Sequence, residues 1–335
     1  MQPVTGSSAG APIARDVALI ARDHGDPFAV IAAVDDPPRA PGPGEVQVRL
    51  RAAPINPADL NLIAGTYGVK PTPPFACGLE GVGEVVARGA GVEDLAPGDR
   101  VRPVDGLGSW RTHVTADADR FHRLPPLHDL EQAAMLAVNP ATAWRLLHDW
   151  PRDAAPVLIN GGSTTLGRCL IQIGAVLGIP IIATVRDAAR IPDLLRLGAR
   201  AAVVEGRDAL TALRAAGPAP LLAINQVGGE SAGTQLRALR EGGTQVTVGG
   251  LSLQPIAVGA GPLIFKDLAV QGFWITRWYR EAPAAERNRM LAALGRLVDE
   301  HRLHQSVAAR FPLAQWREAL AAAMAPRSGK ILLTC

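Results

Sequence analysis

The stretch that most constrains the fold covers residues 157–190 and reads as strand, turn, helix and strand. Val157–Ile159 is a short apolar run, typical of a buried parallel strand. Residues 167–177 place apolar side chains at helical spacing, and Ile181–Val185 is a second β-rich run. A β-α-β unit of about 30 residues with glycines in its first turn predicts a dinucleotide-binding site, with the pyrophosphate at the positive end of the helix dipole.

The glycines of this turn depart from the usual G-x-G-x-x-G spacing. They stand at positions 161, 162 and 167, while Thr164 and Thr165 occupy the middle of the turn. We expect the threonine hydroxyls to donate to phosphate oxygens and to replace part of the close backbone approach that glycine permits. A plain connection between a strand and a helix stays open as the alternative.

The end of the second strand indicates which dinucleotide binds. Sites that prefer NAD carry Asp or Glu there, about 20 residues past the glycines. This chain has Arg186 followed by Asp187. Because a guanidinium forms bidentate, charge-assisted bonds with phosphate, Arg186 favours the 2′-phosphate of NADPH. The alternative is that Arg186 pairs with Asp187 or faces solvent.

The composition is typical of a globular protein and gives no sign of a nucleic-acid or membrane partner. Of the 335 residues, 48% are hydrophobic and 19% are charged, and the net charge is only +3, without blocks of like charge. Nucleic-acid and membrane partners are therefore not expected. The three cysteines are far apart, which predicts reduced thiols. With no signal-peptide pattern, we expect a cytoplasmic protein, and residues 1–12 are expected to be mobile.

The rest of the chain divides into a β-rich part and an alternating part. Residues 44–51 alternate polar and apolar side chains, as a half-buried antiparallel strand does, within a β-rich region over residues 14–138. From residue 157 strands alternate with helices, which predicts a doubly wound parallel sheet. Further strands are predicted at 202–204, 221–225, 244–248 and 268–272, helices at 281–301 and 313–324, and a last strand at Lys330–Thr334 that returns to the first domain.

Two side chains before residue 138 are candidates for chemistry. Tyr67 lies on a loop after a predicted helix that starts at Asn56-Pro57 and ends at Gly65. A loop tyrosine near a nicotinamide can donate a proton, since its ordinary pKa of about 10 keeps it neutral at pH 7. An ordinary loop aromatic is the alternative. Glu80, between apolar residues, is expected to be buried and paired, and to brace loops.

The chain resembles the medium-chain dehydrogenase/reductase superfamily over residues 14–335, and within it the zinc-independent 2-enoyl thioester reductases. The segments that carry the resemblance are 55–59, 65–68, 106–112, 138–144, 186–187, 263–267 and 272–274. The resemblance implies an α/β fold with a GroES-like β-barrel-type catalytic domain, residues 1–137 plus 277–335, and a Rossmann doubly wound parallel-sheet cofactor domain, residues 138–276.

Zinc members of the superfamily carry a cysteine near segment 56–59 and Gly-His-Glu where this chain has Gly78-Leu79-Glu80. Neither Leu79 nor Asn56-Pro57 offers the expected ligand, and a catalytic zinc needs three protein ligands. We therefore expect no metal. Carbonyl reduction would lack its usual Lewis acid, which leaves reduction of a polarised C=C bond.

The resemblance implies that NADPH delivers hydride to the β-carbon of a 2-enoyl thioester and that Tyr67 protonates the α-carbon. It also assigns cofactor-binding residues, which are Asn139, Ser163, Thr164, Thr165, Leu166, Arg186, Asp187, Ala188, Gly249, Gly250, Phe273, Trp274, Ile275, Thr276 and Lys330. For Trp274, core packing and a place in the pocket wall are both open. The activity would belong to fatty acid metabolism.

Two other functions stay open. An NADPH quinone or enone oxidoreductase shares the fold and the cofactor site, but quinone reduction needs no positioned proton donor for carbon, so Tyr67 favours the thioester. A non-catalytic nucleotide-binding or RNA-binding protein is disfavoured by Tyr67, Arg186 and the lack of a basic stripe. The substrate is expected to be a small-molecule thioester of CoA or acyl carrier protein. A homodimer is expected by resemblance, paired through an edge strand at 268–272.

Overall fold

A computed structural model describes residues 16–104 and 106–335; the predicted mobile segment at residues 1–12 lies outside them. The strands are β1 (Val17–Ala21), β2 (Ile31–Asp35), β3 (Glu45–Pro54), β4 (Phe75–Ala76), β5 (Val82–Arg88), β6 (Arg100–Pro103), β7 (His113–Asp117), β8 (Phe121–Arg123), β9 (Val157–Ile159), β10 (Ile181–Val185), β11 (Ala201–Val204), β12 (Leu222–Asn225), β13 (Thr244–Thr247), β14 (Ala269–Gly272), β15 (Val307–Pro312) and β16 (Lys330–Thr334).

The α-helices are α1 (Pro27–Val30), α2 (Pro57–Ile63), α3 (Leu130–Ala134), α4 (Asn139–His148), α5 (Thr165–Leu177), α6 (Ile191–Arg196), α7 (Ala209–Ala216), α8 (Gly229–Ala238), α9 (Ala260–Phe265), α10 (Ile275–Glu281), α11 (Ala284–Asp299) and α12 (Trp316–Met324). Three short 3-10 turns add to these, at Ala118–Arg120, Ala188–Arg190 and Leu313–Gln315.

A seven-stranded sheet forms the β-rich part. Its order is β15-β16-β3-β5-β6-β8, with β7 paired to β3, and a three-stranded sheet β2-β1-β4 lies beside it. Val46, Val48 and Leu50 of β3 are buried, and the residues between them are more exposed. This confirms the period-2 prediction. The tail returns as predicted, because β16 pairs antiparallel with β3, with Leu333 opposite Ala53.

The alternating part forms the predicted doubly wound sheet. Its six strands are parallel, in the order β11-β10-β9-β12-β13-β14. Strand order reverses direction along the chain between β9 and β12. In such sheets a ligand binds outside the carboxyl ends of the strands at this switch point. The βα turn after β9, at which the sequence predicts a dinucleotide, therefore lies at this switch point.

The predicted helix over 281–301 is present as α11 (Ala284–Asp299), and no sequence pattern indicated the separate helix α10 (Ile275–Glu281) that precedes it. The structure has two helices, α10 and α11, with Ala282 extended (φ −71°, ψ 139°) between them and Pro283 at the N-cap of α11. A proline disfavours helical geometry in the residue before it and has no N–H for the helical ladder, so the chain breaks there. The buried residues Met290, Leu291 and Leu294 of α11 share one core with β9 and α5.

Within the described ranges, no helix is both long enough and apolar enough to cross a bilayer.

Candidate functional site

The turn after β9 is stabilised by a threonine instead of a glycine. Thr164 is the N-cap of α5: its Oγ1 accepts a hydrogen bond from Gly167 N at 3.0 Å and donates one to Gln226 Oε1 at 2.8 Å. The expected donation from Thr164 to a phosphate is therefore not available in this arrangement, since Gln226 takes the hydroxyl proton. Sequence reasoning missed Gln226, which lies after β12 and has no motif.

Glycine is required at two positions of this turn. Gly161 has φ +59°, which favours glycine, and a Cβ on Gly167 would lie 2.4 Å from Gly161 O. The first turn of α5 thus approaches the backbone of the preceding loop directly. This close approach leaves a cradle of backbone at the positive end of the helix, which fits the phosphates of a dinucleotide.

A polar cavity of about 230 Å³ opens at the same helix end. On one side it is lined by Ser163, Thr164, Thr165 and Arg168, and on the other by residues 304–306 and 327–329. Arg327 lies on the second side, and its Nη1 donates to Ala323 O. The predicted site did not include Arg168 or the second side, because nothing local in the sequence indicates that these loops face the turn.

The structure separates the roles of the two charged residues after β10. Asp187 accepts a hydrogen bond from Ala189 N at 2.9 Å and forms an ion pair with Arg190 at 3.8 Å. Arg186 is exposed, and within residues 16–104 and 106–335 its guanidinium has no hydrogen-bond or ion-pair partner. The alternative pairing of Arg186 with Asp187 is therefore not what the structure has. Ala188 begins the 3-10 turn beside them.

Asn139 is the first residue of α4 and carries an unsatisfied group. Its Nδ2 is buried and has no hydrogen-bond partner among the described residues. The backbone N–H just before it, that of Val138, donates to Glu80 Oε1 at 2.7 Å. Buried polar nitrogens normally find a partner, so an orphaned amide on a residue that the resemblance assigns to the cofactor fits a ligand that accepts its bond.

The remaining predicted segments follow the carboxyl ends of β13 and β14. A Cβ on Gly249 would lie 3.0 Å from Gln226 O, and Phe273 N donates to Thr247 O at 3.0 Å. Leu166, in α5, packs at the edge of the core around β9. Gly250 follows Gly249, and Ile275 and Thr276 begin α10 directly after Trp274.

Tyr67 is half-buried on the loop that follows α2. Its Oη accepts a hydrogen bond from Trp274 Nε1 at 2.9 Å, and the two rings meet edge to face with centroids 6.3 Å apart. These residues are 207 positions apart in the chain. Trp274 is partly buried and contacts Tyr67, which is compatible with the predicted place in a pocket wall.

Lys330 lies in a buried polar cluster. Its Nζ donates to Asn56 Oδ1, and Asn56 Nδ2 donates to Glu80 Oε2 at 3.0 Å. Burial lowers the pKa of Lys330 and raises the pKa of Glu80, although their opposite charges act against both shifts. The ammonium thus points at Asn56 here, whereas the resemblance assigned Lys330 to the cofactor.

Asp59 completes this cluster. Its carboxylate accepts Asn56 N and Leu79 N, each at 2.7 Å, and burial raises its pKa to about 7 despite these bonds. The segments 56–59 and 78–80, where the resemblance places zinc ligands in other members, thus contribute to a hydrogen-bonded network here. Over the ranges that the structure describes, no group of three or more His, Cys, Asp or Glu could hold a metal ion.

Comparison with known proteins gives two matching family models. The alcohol dehydrogenase GroES-like domain matches residues 42–126, and the zinc-binding dehydrogenase model matches residues 165–291. The human mitochondrial enoyl-[acyl-carrier-protein] reductase is 38% identical over 343 residues, covering 98% of this chain and 91% of that protein. The Arabidopsis thaliana protein of the same name is 38% identical, covering 85% of this chain and 79% of its own length.

Solved structures with the same fold include the complex of Etr1p with NADP and crotonyl-CoA, with a TM-score of 0.87 and 27% identity, covering 96% of this chain and all of that one. The Etr1p/Etr2p heterodimer of mitochondrial 2-enoyl thioester reductase from Candida tropicalis gives 0.84 and 28%, with coverages of 96% and 100%. A mycobacterial quinone oxidoreductase gives 0.81 and 26%, with the same coverages.

One prediction from the sequence is contradicted by these comparisons. The chain was expected to be cytoplasmic, because it has scattered free cysteines and no signal-peptide pattern. The curated relatives from human and Arabidopsis thaliana are named as mitochondrial proteins. Cysteine usage reports a reducing environment and does not distinguish between compartments that share it.

Proposed function

Because this chain belongs to the enoyl-[acyl-carrier-protein] reductases of the medium-chain dehydrogenase/reductase superfamily, we propose that it reduces the C=C bond of 2-enoyl thioesters with NADPH. Hydride goes to the β-carbon and a proton to the α-carbon. The observation that carries the proposal is the contact between Tyr67 and Trp274, which brings a phenol from the β-rich part to the carboxyl ends of the parallel strands.

The cofactor supplies the hydride when it is bound. The backbone cradle at residues 161–167 would hold its pyrophosphate, with Ser163, Thr165 and the arginines of the 230 Å³ cavity nearby. Asn139 Nδ2 donates to an acceptor at the nicotinamide end. This assignment is supported by the orphaned state of that amide and by the backbone bond from Val138 to Glu80 that fixes the start of α4.

Tyr67 gives the proton. A tyrosine is suited to this step because it is neutral at pH 7 and still holds a transferable proton. Trp274 Nε1 donates to the phenolic oxygen, so it stabilises the negative charge that this oxygen carries once its proton has gone. The proton of Tyr67 is thereby transferred to the α-carbon of the thioester enolate inside the cleft.

Turnover of thioesters by wild type beside Tyr67→Phe tests the proposal. The assay follows NADPH consumption with crotonyl-CoA and with trans-2-decenoyl-CoA. Loss of a general acid lowers turnover by about 10²-fold or more, so we expect a loss of that size in the variant, with NADPH affinity unchanged. Equal activity of the two proteins would reject the role of Tyr67.

Quinone or enone reduction is the second candidate. It is supported by the structural likeness to a mycobacterial quinone oxidoreductase. A quinone accepts its protons on oxygen, which water supplies readily, so this activity should not depend on Tyr67. Quinone turnover that is equal in wild type and Tyr67→Phe, with no thioester turnover, would favour it.

We also propose that the protein is a homodimer and that its acyl substrate is carried by CoA or by acyl carrier protein. The dimer is supported by the position of β14 at the open edge of the parallel sheet, by the exposure of Ile264 and Phe265 on the adjacent α9, and by the dimeric Etr1p/Etr2p relative.

We propose the domain division at 138–276 as well. It is supported by the pairing of β16 with β3, which returns the tail to the β-rich part.

A further inference from the structure

His24 lies in the connection between β1 and α1 and contacts both ends of the loop that carries Tyr67. At the first end, a Cβ added to Gly65 would lie 3.1 Å from both Cβ and Cγ of His24, so the histidine rests directly on that backbone. At the other end, His24 Nε2 lies 3.1 Å from Pro71 O. No sequence pattern indicated this residue.

The loop has few other ties to the protein. At its start, Thr66 N and Tyr67 N both donate to Asn61 O, at 2.9 and 3.1 Å. Beyond that point, and counting only residues 16–104 and 106–335, the stretch 68–74 takes part in one hydrogen bond, the one between His24 and Pro71. His24 therefore contacts the chain on both sides of Tyr67, at Gly65 and at Pro71.

The ring of His24 is itself anchored. It packs on Phe75 with centroids 5.4 Å apart, and Phe75 pairs with Ala21 between β1 and β4. Pro71 O can only accept, so Nε2 carries the proton. Nδ1 is then an acceptor, and it is buried without a partner among the described residues. A phenylalanine at position 24 could pack in the same way. The histidine adds one feature, the Nε2–H that donates to Pro71 O.

We propose that His24 is a positioning residue that ties Gly65 to Pro71 and so keeps the Tyr67 hydroxyl beside Trp274 Nε1. The inference rests on the proposed function, in which Tyr67 is the proton donor. A displacement of about 1 Å from the reacting geometry can cost about 10²-fold in rate. Loss of the hydrogen bond that His24 makes to residues 68–74 loosens the segment after Tyr67 and so lowers turnover, although His24 contacts no reacting atom.

Kinetics of four variants test the proposal. His24→Ala is expected to lower kcat by about 10-fold or more, within the range for a misplaced general acid, and to leave the KM for NADPH within about 2-fold. His24→Phe keeps the ring without the donor and is expected to stay low. His24→Gln offers an amide N–H near the Nε2 position and is expected to recover most of kcat. His128→Ala, at an exposed histidine between β8 and α3, is the control.

A double variant separates positioning from a general loss of structure. If His24 acts through Tyr67, His24→Ala in the Tyr67→Phe background causes no further loss of kcat, because the group that it positions is gone. Losses that multiply would overturn the proposal. So would a kcat for His24→Ala that equals the wild-type value.

A spectroscopic measurement tests placement without catalysis. The chain has only two tyrosines, Tyr67 and Tyr279, so protein labelled with fluorotyrosine gives two fluorine NMR signals, and Tyr67→Phe assigns them. We expect His24→Ala to shift or broaden the Tyr67 signal and to leave that of Tyr279 unchanged. An unmoved Tyr67 signal would reject the positioning role. If Tyr67→Phe alone is fully active, the proposed function fails and the catalytic part of this inference with it, whereas the NMR result still decides placement.

Discussion

The guanidinium of Arg186 is exposed at the carboxyl end of β10, next to a carboxylate that is already engaged with Arg190. A charge-assisted bond to a 2′-phosphate contributes about 1.5–3 kcal/mol. Arg186→Ala should therefore weaken NADPH binding roughly 10- to 100-fold and leave NADH binding unchanged, as measured by fluorescence titration. Arg190→Ala is the matched control, and an equal effect of both variants would contradict the assignment.

Asp59 predicts a pH dependence of stability. Its pKa is about 7 in the folded protein against an ordinary value of 3.8, so between these values the folded state holds a proton that the unfolded chain has released. The contribution of this group is fully present below about pH 4 and is lost as pH rises through about 7.

The variant Asp59→Asn isolates this contribution. It should destabilise the protein at every pH, because an amide cannot accept from both Asn56 N and Leu79 N. Since the variant escapes the cost of a buried charge, its deficit in the free energy of unfolding should be smaller at about pH 8 than at about pH 5. Urea denaturation at both pH values measures this, and a deficit that grows with pH would refute the titration of Asp59.

Among the elements, β14 carries the proposed dimer contact. Val270 on this edge strand is 40% exposed, and Phe265 on the adjacent α9 is 82% exposed. Edge strands with apolar side chains pair readily with another copy. Val270→Lys should convert a dimer to a monomer, since pairing would bury the added charge. Light scattering measures the mass.

Val204 gives a matched control for this substitution. It is also 40% exposed and lies on β11, the opposite edge of the same sheet. Val204→Lys should leave the mass unchanged. If Val204→Lys dissociated the dimer and Val270→Lys did not, the interface would lie at β11 and the assignment to β14 would be refuted. A monomeric wild type would refute the dimer itself.

At the scale of the whole molecule, Glu80 connects the two halves of the site. One oxygen accepts a hydrogen bond from Asn56, just before helix α2, which leads to the loop with Tyr67. The other accepts one from the backbone N–H of Val138, just before Asn139. Glutamine has one acceptor oxygen, so Glu80→Gln must lose one of these bonds and place two donors together. We expect a loss of about 1–3 kcal/mol in the free energy of unfolding, measured by urea denaturation.

The surface carboxylate Glu84 is the control for that variant. It pairs with Arg51 at 3.0 Å and is 40% exposed. Exposed ion pairs contribute about 0–1 kcal/mol, so Glu84→Gln should change stability much less. Equal effects of the two substitutions would show that Glu80 has no special bracing role.

Elements whose cause is local could be predicted from the amino-acid sequence. The βαβ unit, the alternation of β3 and the strand Lys330–Thr334 follow from periodicity and turn residues, and they lie where the patterns indicate. The start of α11 is also local, since Pro283 separates it from α10, but no pattern in the sequence predicted α10 itself. The resemblance of short segments pointed to Tyr67 and Arg186 because a motif keeps its residues together.

Contacts between side chains that are distant in the sequence depend on the packing of the whole fold. Trp274 contacts Tyr67 across 207 residues, Lys330 contacts Asn56 across 274, and His24 supports Pro71 across 47. The tertiary structure also brings residues 327–329 to the turn after β9. These contacts arise from packing of the sheets, in which partners are chosen by shape and by satisfaction of buried polar groups, and such choices leave no periodic trace along the chain.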